Sequence, residues 1–371
     1  MKERKLRAFQ FIEGGARYGA AVSIMNIAEG MRQGDVEVEF GVFAGRPLGA
    51  VLREHDFTVH EIPANHRFDM RGVRALVKLF RAKRFDVVHT HLSRATVNGL
   101  IASRLTRTPI VATVHGMNRK YTYMLADHIM TVSEAAKRHL MNQGVDEEKI
   151  TPVYNCIQLE PFASRPSKPE AKAAFDYSPQ SFVVGTISRA HRQKGIDVAI
   201  GAVAELRKRG IDAKYLFVGD GPHLAEFKAL SDELQISEHA RFTGFSASVV
   251  AALSAMDVFM FPTHREAFGI SLLEAMAAEV PTVASAVDGV PEVLDEGSGI
   301  LLEVRTPSAF AHAAQRLIDD PGLRAGIVEN ARTRVETVFS VESTARSVER
   351  VYRQVVKSAE PNPRRNYRDV L

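Results

Sequence analysis

Residues 257–278 read Asp257-Val-Phe-Met-Phe-Pro262 and then Thr263-His-Arg-Glu-Ala-Phe-Gly-Ile-Ser-Leu-Leu-Glu-Ala-Met-Ala-Ala278. The first part is an apolar run closed by proline, the pattern of a strand buried on both faces of a parallel sheet. The second part is a loop that runs into a helix. A helix start presents backbone N–H groups that lack intrahelical partners and attract anions. Glu266 and Glu274 stand at the two ends of this loop–helix segment, where carboxylates can accept hydrogen bonds from hydroxyls. A ligand with both phosphates and hydroxyls suits the arrangement, and a nucleotide-sugar is the candidate. Two solvated acids near a helix start are the plainer alternative.

A second segment has the same layout. Phe182-Val-Val-Gly-Thr-Ile187 reads as a buried strand, and Ser188-Arg189-Ala-His-Arg-Gln-Lys194-Gly195 follows it. Open α/β sheets bind ligands at the carboxyl ends of their strands, where Arg189 and Lys194 would lie. A planar guanidinium fork and a point-charge ammonium are apt partners for a diphosphate. Strand-like and helix-like stretches alternate along the whole chain, which argues for α/β architecture with parallel sheets. Leu6–Ile12, Val36–Phe43, Thr58–Ile62, Val87–His89, Ile110–Val114 and His128–Val132 read as strands in the first half. In the second half Val183–Ile187, Tyr215–Val218, Ala240–Thr243, Val258–Phe261 and Thr282–Ala284 do so. Helices are expected over Ala20–Arg32, Arg71–Ala82, Ala95–Leu105 and Glu134–Gln143.

Taken in order, Arg189…Lys194-Gly195, Val218-Gly-Asp-Gly-Pro222, Phe242-Thr-Gly244 and Glu266…Glu274 resemble the C-terminal half of the retaining, family-four glycosyltransferases of the GT-B fold. Gly14-Gly15, Asp86-Val-Val-His89-Thr-His91, Thr113-Val-His115-Gly116, Thr131-Val-Ser133 and Asn155 resemble its N-terminal half more loosely. The resemblance spans about residues 10–345. It implies two Rossmann-like parallel-sheet domains facing a cleft. It assigns Glu274 to the ribose hydroxyls and Glu266 to the donor sugar. The backbone around Phe268, Gly269 and Ile270 is assigned to the diphosphate or sugar, the loop of Gly14-Gly15 to the donor phosphate or the acceptor, and His115 to a place beside the reacting sugar. Glu266, Arg189, Lys194 and His115 are therefore the catalytic candidates. Gly15, Arg189, Lys194, Glu266, Phe268, Gly269, Ile270 and Glu274 form the donor-binding set. Ala16-Arg17-Tyr18 stand where the family often has an acidic residue, so the acceptor side departs from the pattern.

At 371 residues, two domains are expected. The linker-like stretch Glu160–Glu170, with Pro161, Pro166 and Pro169, suggests an N-terminal acceptor-side domain over 1–160. A nucleotide-sugar-binding domain then follows over 161–340. The helix 341–357, with Val341, Ala345, Val348, Tyr352 and Val355 at helical spacing, would return to the first domain, leaving 358–371 as a tail. The single cysteine, Cys156, fits a reducing compartment, and no apolar run reaches the length of a membrane span. A cytoplasmic protein, peripheral at the inner face of the plasma membrane, is the expectation.

Residues 1–155 hold 23 Lys+Arg against 16 Asp+Glu, so the first half carries the positive charge of the chain. Arg71, Arg74, Lys78 and Arg81 share one side of the expected helix over 71–84, opposite Val73, Leu76, Val77 and Phe80. A solvated basic face and a docking face for an anionic membrane both fit. Nucleic acid is not an expected partner, since no aromatic residues interleave the basic ones.

No Asp-x-Asp triplet occurs, so no metal ion is implied and no cofactor is expected beyond the donor substrate, a UDP-sugar first and a GDP-sugar next. His89 and His91 at strand ends read as satisfied structural histidines; a zinc site with His115 is the lesser alternative, lacking a further ligand and any cysteine partner. Gly-Gly-x-x-x-Gly over residues 14–19 departs from the dinucleotide fingerprint. The activity expected is transfer of a sugar to a glycan or glycolipid hydroxyl in cell-envelope polysaccharide or lipopolysaccharide synthesis. A nucleotide-sugar epimerase of the same fold and a non-catalytic nucleotide-sugar sensor are its rivals, with a nicotinamide oxidoreductase behind them.

Overall fold

A computed structural model describes residues 4–15, 19–32, 34–66, 68–246, 248–295 and 297–359. The residues Ala16–Tyr18, noted for their departure from the family pattern, and all of the expected tail beyond Ala359 lie outside the described residues. Ser358 and Ala359 belong to the preceding helix.

The chain forms two compact units. The first contains the residues up to Tyr154 together with the helix Val341–Ala359, and the second runs from Asn155 to Ser340. The seven strands of the first unit are β1 (Leu6–Ile12), β2 (Val36–Phe43), β3 (Thr58–Ile62), β4 (Val87–His91), β5 (Ile110–Val114), β6 (His128–Thr131) and β7 (Ile150–Pro152). They lie in the order β3-β2-β1-β4-β5-β6-β7, and every pairing is parallel. Strands β4, β5 and β6 are buried along their whole length, as helices on both faces require. One face packs an aromatic cluster in which Phe9 meets Phe80 edge-on at 5.3 Å and Phe85 at 5.0 Å. The other face receives the helix Val341–Ala359, whose Ala345, Val348, Val351, Tyr352 and Val355 are buried with Met31, Val87 and Val111.

The second unit has six strands, all pairings parallel: β8 (Phe182–Ile187), β9 (Ala213–Val218), β10 (Ala240–Phe242), β11 (Val258–Phe261), β12 (Thr282–Ser285) and β13 (Ile300–Leu302). Their order is β10-β9-β8-β11-β12-β13. The helix Ile196–Lys208 covers one face with Pro307–Asp319, and the core there joins Tyr215, Phe217, Met260 and Phe310.

Among the elements not picked out as periodic stretches are β7, β13 and the helix Leu48–Glu54. The two strands have three residues each, too few for a period to register. The stretch read as a linker holds two helix segments instead, Glu160–Ala163 and Lys168–Ala173. Pro161, Pro169 and Ser167 are helix-start residues here, while Ser164 closes the first segment. Pro161 and Pro169 occupy first-turn positions, where the missing N–H is no loss. The Ser167 N–H and hydroxyl both donate to Glu170, at 3.0 and 2.6 Å.

Candidate functional site

In the second unit the chain lays β8 first, builds β9 and β10 on one side, and then crosses to β11 on the other. The loops leaving the carboxyl ends of β8 and β11 therefore diverge from neighbouring strands, the place where open α/β sheets hold ligands. These are residues 188–195 and 262–269, the two segments that the sequence singles out. They are tied together. The His264 N–H and the Thr263 hydroxyl both donate to the Gln193 carbonyl, at 2.8 and 3.1 Å. Gly195 has φ +63°, and a Cβ there would sit 2.0 Å from the Pro262 carbonyl oxygen. Only glycine permits this approach.

The contact closes the ion pair at the centre of the site. Lys194 Nζ donates to Glu266 Oε2 at 2.6 Å, with 26% and 18% of the two side chains exposed. The ammonium also lies 5.9 Å from the centre of the Phe261 ring. Glu266 is held through its backbone as well: its N–H donates to Asp288 Oδ2 at 3.0 Å, and its carbonyl accepts the Gly289 N–H at 3.0 Å. Neither Asp288 nor Gly289 was singled out from the sequence. An Asp-Gly pair after a strand signals a turn, but nothing in that signal points to a partner 22 residues earlier.

Beyond Glu266 the chain turns at Gly269, φ +96°, into the helix Ile270–Ala277, whose start has no side-chain cap. Phe268 is buried and packs edge-on against Phe339 at 5.6 Å, which anchors the turn. Gly269 and Ile270, chosen from the sequence, thus stand at a helix start that no side chain caps among the described residues. Glu274 lies one turn further on. It keeps some open surface but is recessed among protein atoms, has no hydrogen-bond or ion-pair partner among the described residues, and its carboxyl is pushed up to about 7 by burial. An unpaired, desolvated carboxylate awaits donors. Arg189 is exposed, and its guanidinium has no partner among the described residues. Its loop is braced by the segment after β9, where the Ala190 N–H donates to the Asp220 carbonyl at 2.9 Å.

The first unit has its own switch point, between β1 and β4. Gly14, φ +89°, and the exposed Gly15 follow β1. Leu92 follows β4 with φ +68° and ψ 157°, a region otherwise almost reserved for glycine. Glu13 accepts the Arg94 N–H at 2.7 Å at the start of the helix Ser93–Thr106. The histidines form chains. His115 Nε2 is 3.1 Å from His91 Nδ1, and His91 Nε2 is 3.0 Å from Gln10 Oε1. His89 joins Tyr352 Oη at 2.7 Å and Thr113 Oγ1 at 2.6 Å. Burial lowers all three imidazoles, His115 to about 4 and His89 to about 3, so they are neutral near pH 7. Both nitrogens of His89 and of His91 are engaged within the protein, which leaves neither facing a zinc ion. Among the described residues no group of three or more His, Cys, Asp or Glu is placed to hold a metal.

The basic helix is Met70–Lys83. Arg74, Lys78 and Arg81 are exposed beside a groove of about 720 Å³ lined also by Met70, Val77 and Leu105. Arg71 differs, because its guanidinium is bound to Asp69, the N-cap of the same helix, at 2.8 Å. Asp69 holds the helix start and holds that arginine. Among the described residues no helix is long and apolar enough to cross a membrane.

The family model "Glycosyl transferases group 1" matches residues 167–334, and "Glycosyltransferase Family 4" matches residues 18–161. The capsular polysaccharide biosynthesis glycosyltransferase CapM of Staphylococcus aureus is 27% identical, over 84% of this chain and 89% of CapM. The UDP-Gal:alpha-D-GlcNAc-diphosphoundecaprenol alpha-1,3-galactosyltransferase of Escherichia coli is 26% identical, over 78% of this chain and 80% of the relative. Among solved structures, Anabaena HepE in complex with UDP superposes with a TM-score of 0.83 at 21% identity, covering 94% of this chain and 100% of that one.

Proposed function

The chain belongs to the family-four glycosyltransferases of the GT-B fold, and from that premise we propose that it moves a sugar from a nucleoside-diphosphate donor to a hydroxyl of a cell-envelope glycan or glycolipid. Transfer retains the anomeric configuration and needs no metal ion. The observation that carries this reading is the Lys194–Glu266 pair, seated where β8 and β11 diverge, with an uncapped helix start behind it. One relative is named for capsular polysaccharide biosynthesis and another for a diphosphoundecaprenol-linked acceptor, which supports the envelope reading, and the neighbour solved with UDP makes a UDP-sugar the first donor to test, ahead of a GDP-sugar.

The bond from the anomeric carbon to the phosphate oxygen breaks as the acceptor oxygen bonds to the same carbon. The acceptor's proton passes to the departing diphosphate on the same face. Negative charge grows on that diphosphate. Lys194, Arg189 and the amides at Gly269 and Ile270 stabilise it more in the transition state than in the ground state. Glu266 accepts a hydroxyl of the sugar, and Glu274 accepts the ribose hydroxyls, which satisfies a carboxylate the free protein leaves unpaired. His115, neutral, exchanges a hydrogen bond with the sugar. The resemblance, and not the geometry, adds Gly15 as a backbone contact to the donor.

A thermal-shift panel of nucleotide-sugars tests the reading. A donor at 100 times its Kd adds about 2.7 kcal/mol, and Glu274→Ala should remove that gain. Mass spectrometry with and without a glycan acceptor then separates transfer from epimerisation. No shift with any member of the panel refutes the donor site. The exposed Arg74, Lys78 and Arg81 further support docking on an anionic membrane, with about 1 kcal/mol from each. Arg71, tied to Asp69, contributes less. Liposome co-sedimentation should require anionic lipid and weaken with salt. Equal sedimentation after neutralising all four charges would remove this part.

A further inference from the structure

We propose that Asp288 is a positioning residue that sets the geometry of Glu266 and of the turn behind it. This rests on the donor-site reading of Glu266. Three observations point to it. Asp288 has φ +44°, a left-handed backbone that few side chains other than Asn and Asp adopt. From that position its carboxylate accepts the Glu266 N–H at 3.0 Å, while the next residue, Gly289, donates its own N–H to the Glu266 carbonyl at 3.0 Å. The peptide groups on both sides of Glu266 are thereby pinned to the end of β12 by a two-point clamp. The side chain of Asp288 is 23% exposed, and Arg265 Nε lies 3.9 Å away, too far for a close ion pair.

The clamp acts on the reacting end of the site. The Glu266 side chain meets Lys194 on one side, and three residues later the chain reaches the Gly269 helix start. A backbone free to rotate at residue 266 would swing the carboxylate away from the sugar and alter the aim of the following amides. Asp288 touches neither of the proposed donor-binding side chains of Glu266 and Glu274, so its effect is indirect.

Three variants separate positioning from folding. Asp288→Asn keeps an acceptor oxygen and tolerates the left-handed backbone. Asp288→Gly relaxes the backbone and removes the acceptor. Asp288→Ala removes the acceptor and keeps the strain. Hydrogen exchange of the free protein reads the clamp without any ligand. The Glu266 N–H should exchange about ten- to a hundredfold faster in Asp288→Gly, the equivalent of one hydrogen bond to a charged group, and near the parent rate in Asp288→Asn. Binding of UDP-glucose and of UDP reads its purpose. Asp288→Gly should weaken UDP-glucose about tenfold and UDP by clearly less, because Glu266 faces the sugar while only the amides beyond it face the diphosphate; Asp288→Asn should restore the sugar-dependent part. Unchanged exchange in Asp288→Gly overturns the clamp. Faster exchange with equal loss of UDP and UDP-glucose, or with no loss, overturns its role toward the sugar. Failure of the unsubstituted protein to bind either probe refutes the donor assignment instead, and the exchange result still decides the clamp.

Discussion

Glu274→Gln should stabilise the ligand-free protein, and the gain should depend on pH. The Glu274 carboxyl is raised from 4.5 to about 7 by burial, and no cation or hydrogen-bond donor among the described residues offsets it. In the unfolded chain the same group titrates at its ordinary value. Below about pH 4.5 both states hold the proton, and the carboxyl contributes no pH-dependent difference. As pH rises from there to about 7, the unfolded state has released its proton and the folded state keeps it. Stability then falls with rising pH, by about 1.4 kcal/mol per unit. Above pH 7 the folded state ionises too, and the loss levels off at the full shift, about 3 kcal/mol. Glutamine has the same shape and no charge to desolvate. The variant should therefore match its parent near pH 4.5 and exceed it by about 3 kcal/mol at pH 8.

The assay is a set of urea titrations of both proteins between pH 4.5 and 8. The two compact units need not unfold together, so hydrogen exchange of amides in β11 and β12 is the proper reporter. UDP supplies a second arm. In the proposed donor site its ribose hydroxyls would donate to the ionised carboxyl, so the parent should bind it more tightly at pH 8 than at pH 6, and Glu274→Gln should lose that trend. A stability difference that is flat across the pH range would refute the argument. It would mean that the carboxyl titrates as it does in water and that the recess around it is wet.

Lys194→Ala should lower stability by no more than about 1 kcal/mol, since a partly exposed ion pair is worth little. The same change should reduce turnover about a hundredfold or more, because the charge acts on the transition state; steady-state kinetics beside thermal melts would show the split. Gly195→Ala should lose at least about 3 kcal/mol, from a left-handed φ and a Cβ 2.0 Å from the Pro262 oxygen. A melting point within a degree of the parent would contradict that. Tyr352→Phe keeps the ring packing but strands His89 Nδ1, now 2.7 Å from the hydroxyl, and should cost about 1–3 kcal/mol in urea unfolding of the first unit.

The two loops of the proposed donor site could be picked out because each stands at a boundary between a strand pattern and a helix pattern. Ser188–Gly195 and Thr263–Ala278 carry that signature locally. What joins them is strand order. Lys194 and Glu266 are 72 residues apart, and they meet because β11 pairs with β8 while β9 and β10 go to the other side. Hydrophobic period marks a strand but does not rank its neighbours. The same limit hid Asp288, which reaches Glu266 only because β12 lies beside β11. It hid the partner of Tyr352, whose helical spacing shows a buried face and not the histidine that the hydroxyl meets.

Arg71 shows a different kind of miss. Asp69 directly precedes the helix Met70–Lys83, and an aspartate in that place is an N-cap by its chemistry alone. A carboxylate fixed at a helix start is also within reach of an arginine two residues on, and here it binds that guanidinium twice, at 3.1 and 2.8 Å. Arg71 is thus a neutralised charge, whereas Arg74, Lys78 and Arg81 remain open on the same side of the helix. The basic face narrows to three residues, and any anionic surface it meets is engaged through the middle and end of the helix and not through its first turn.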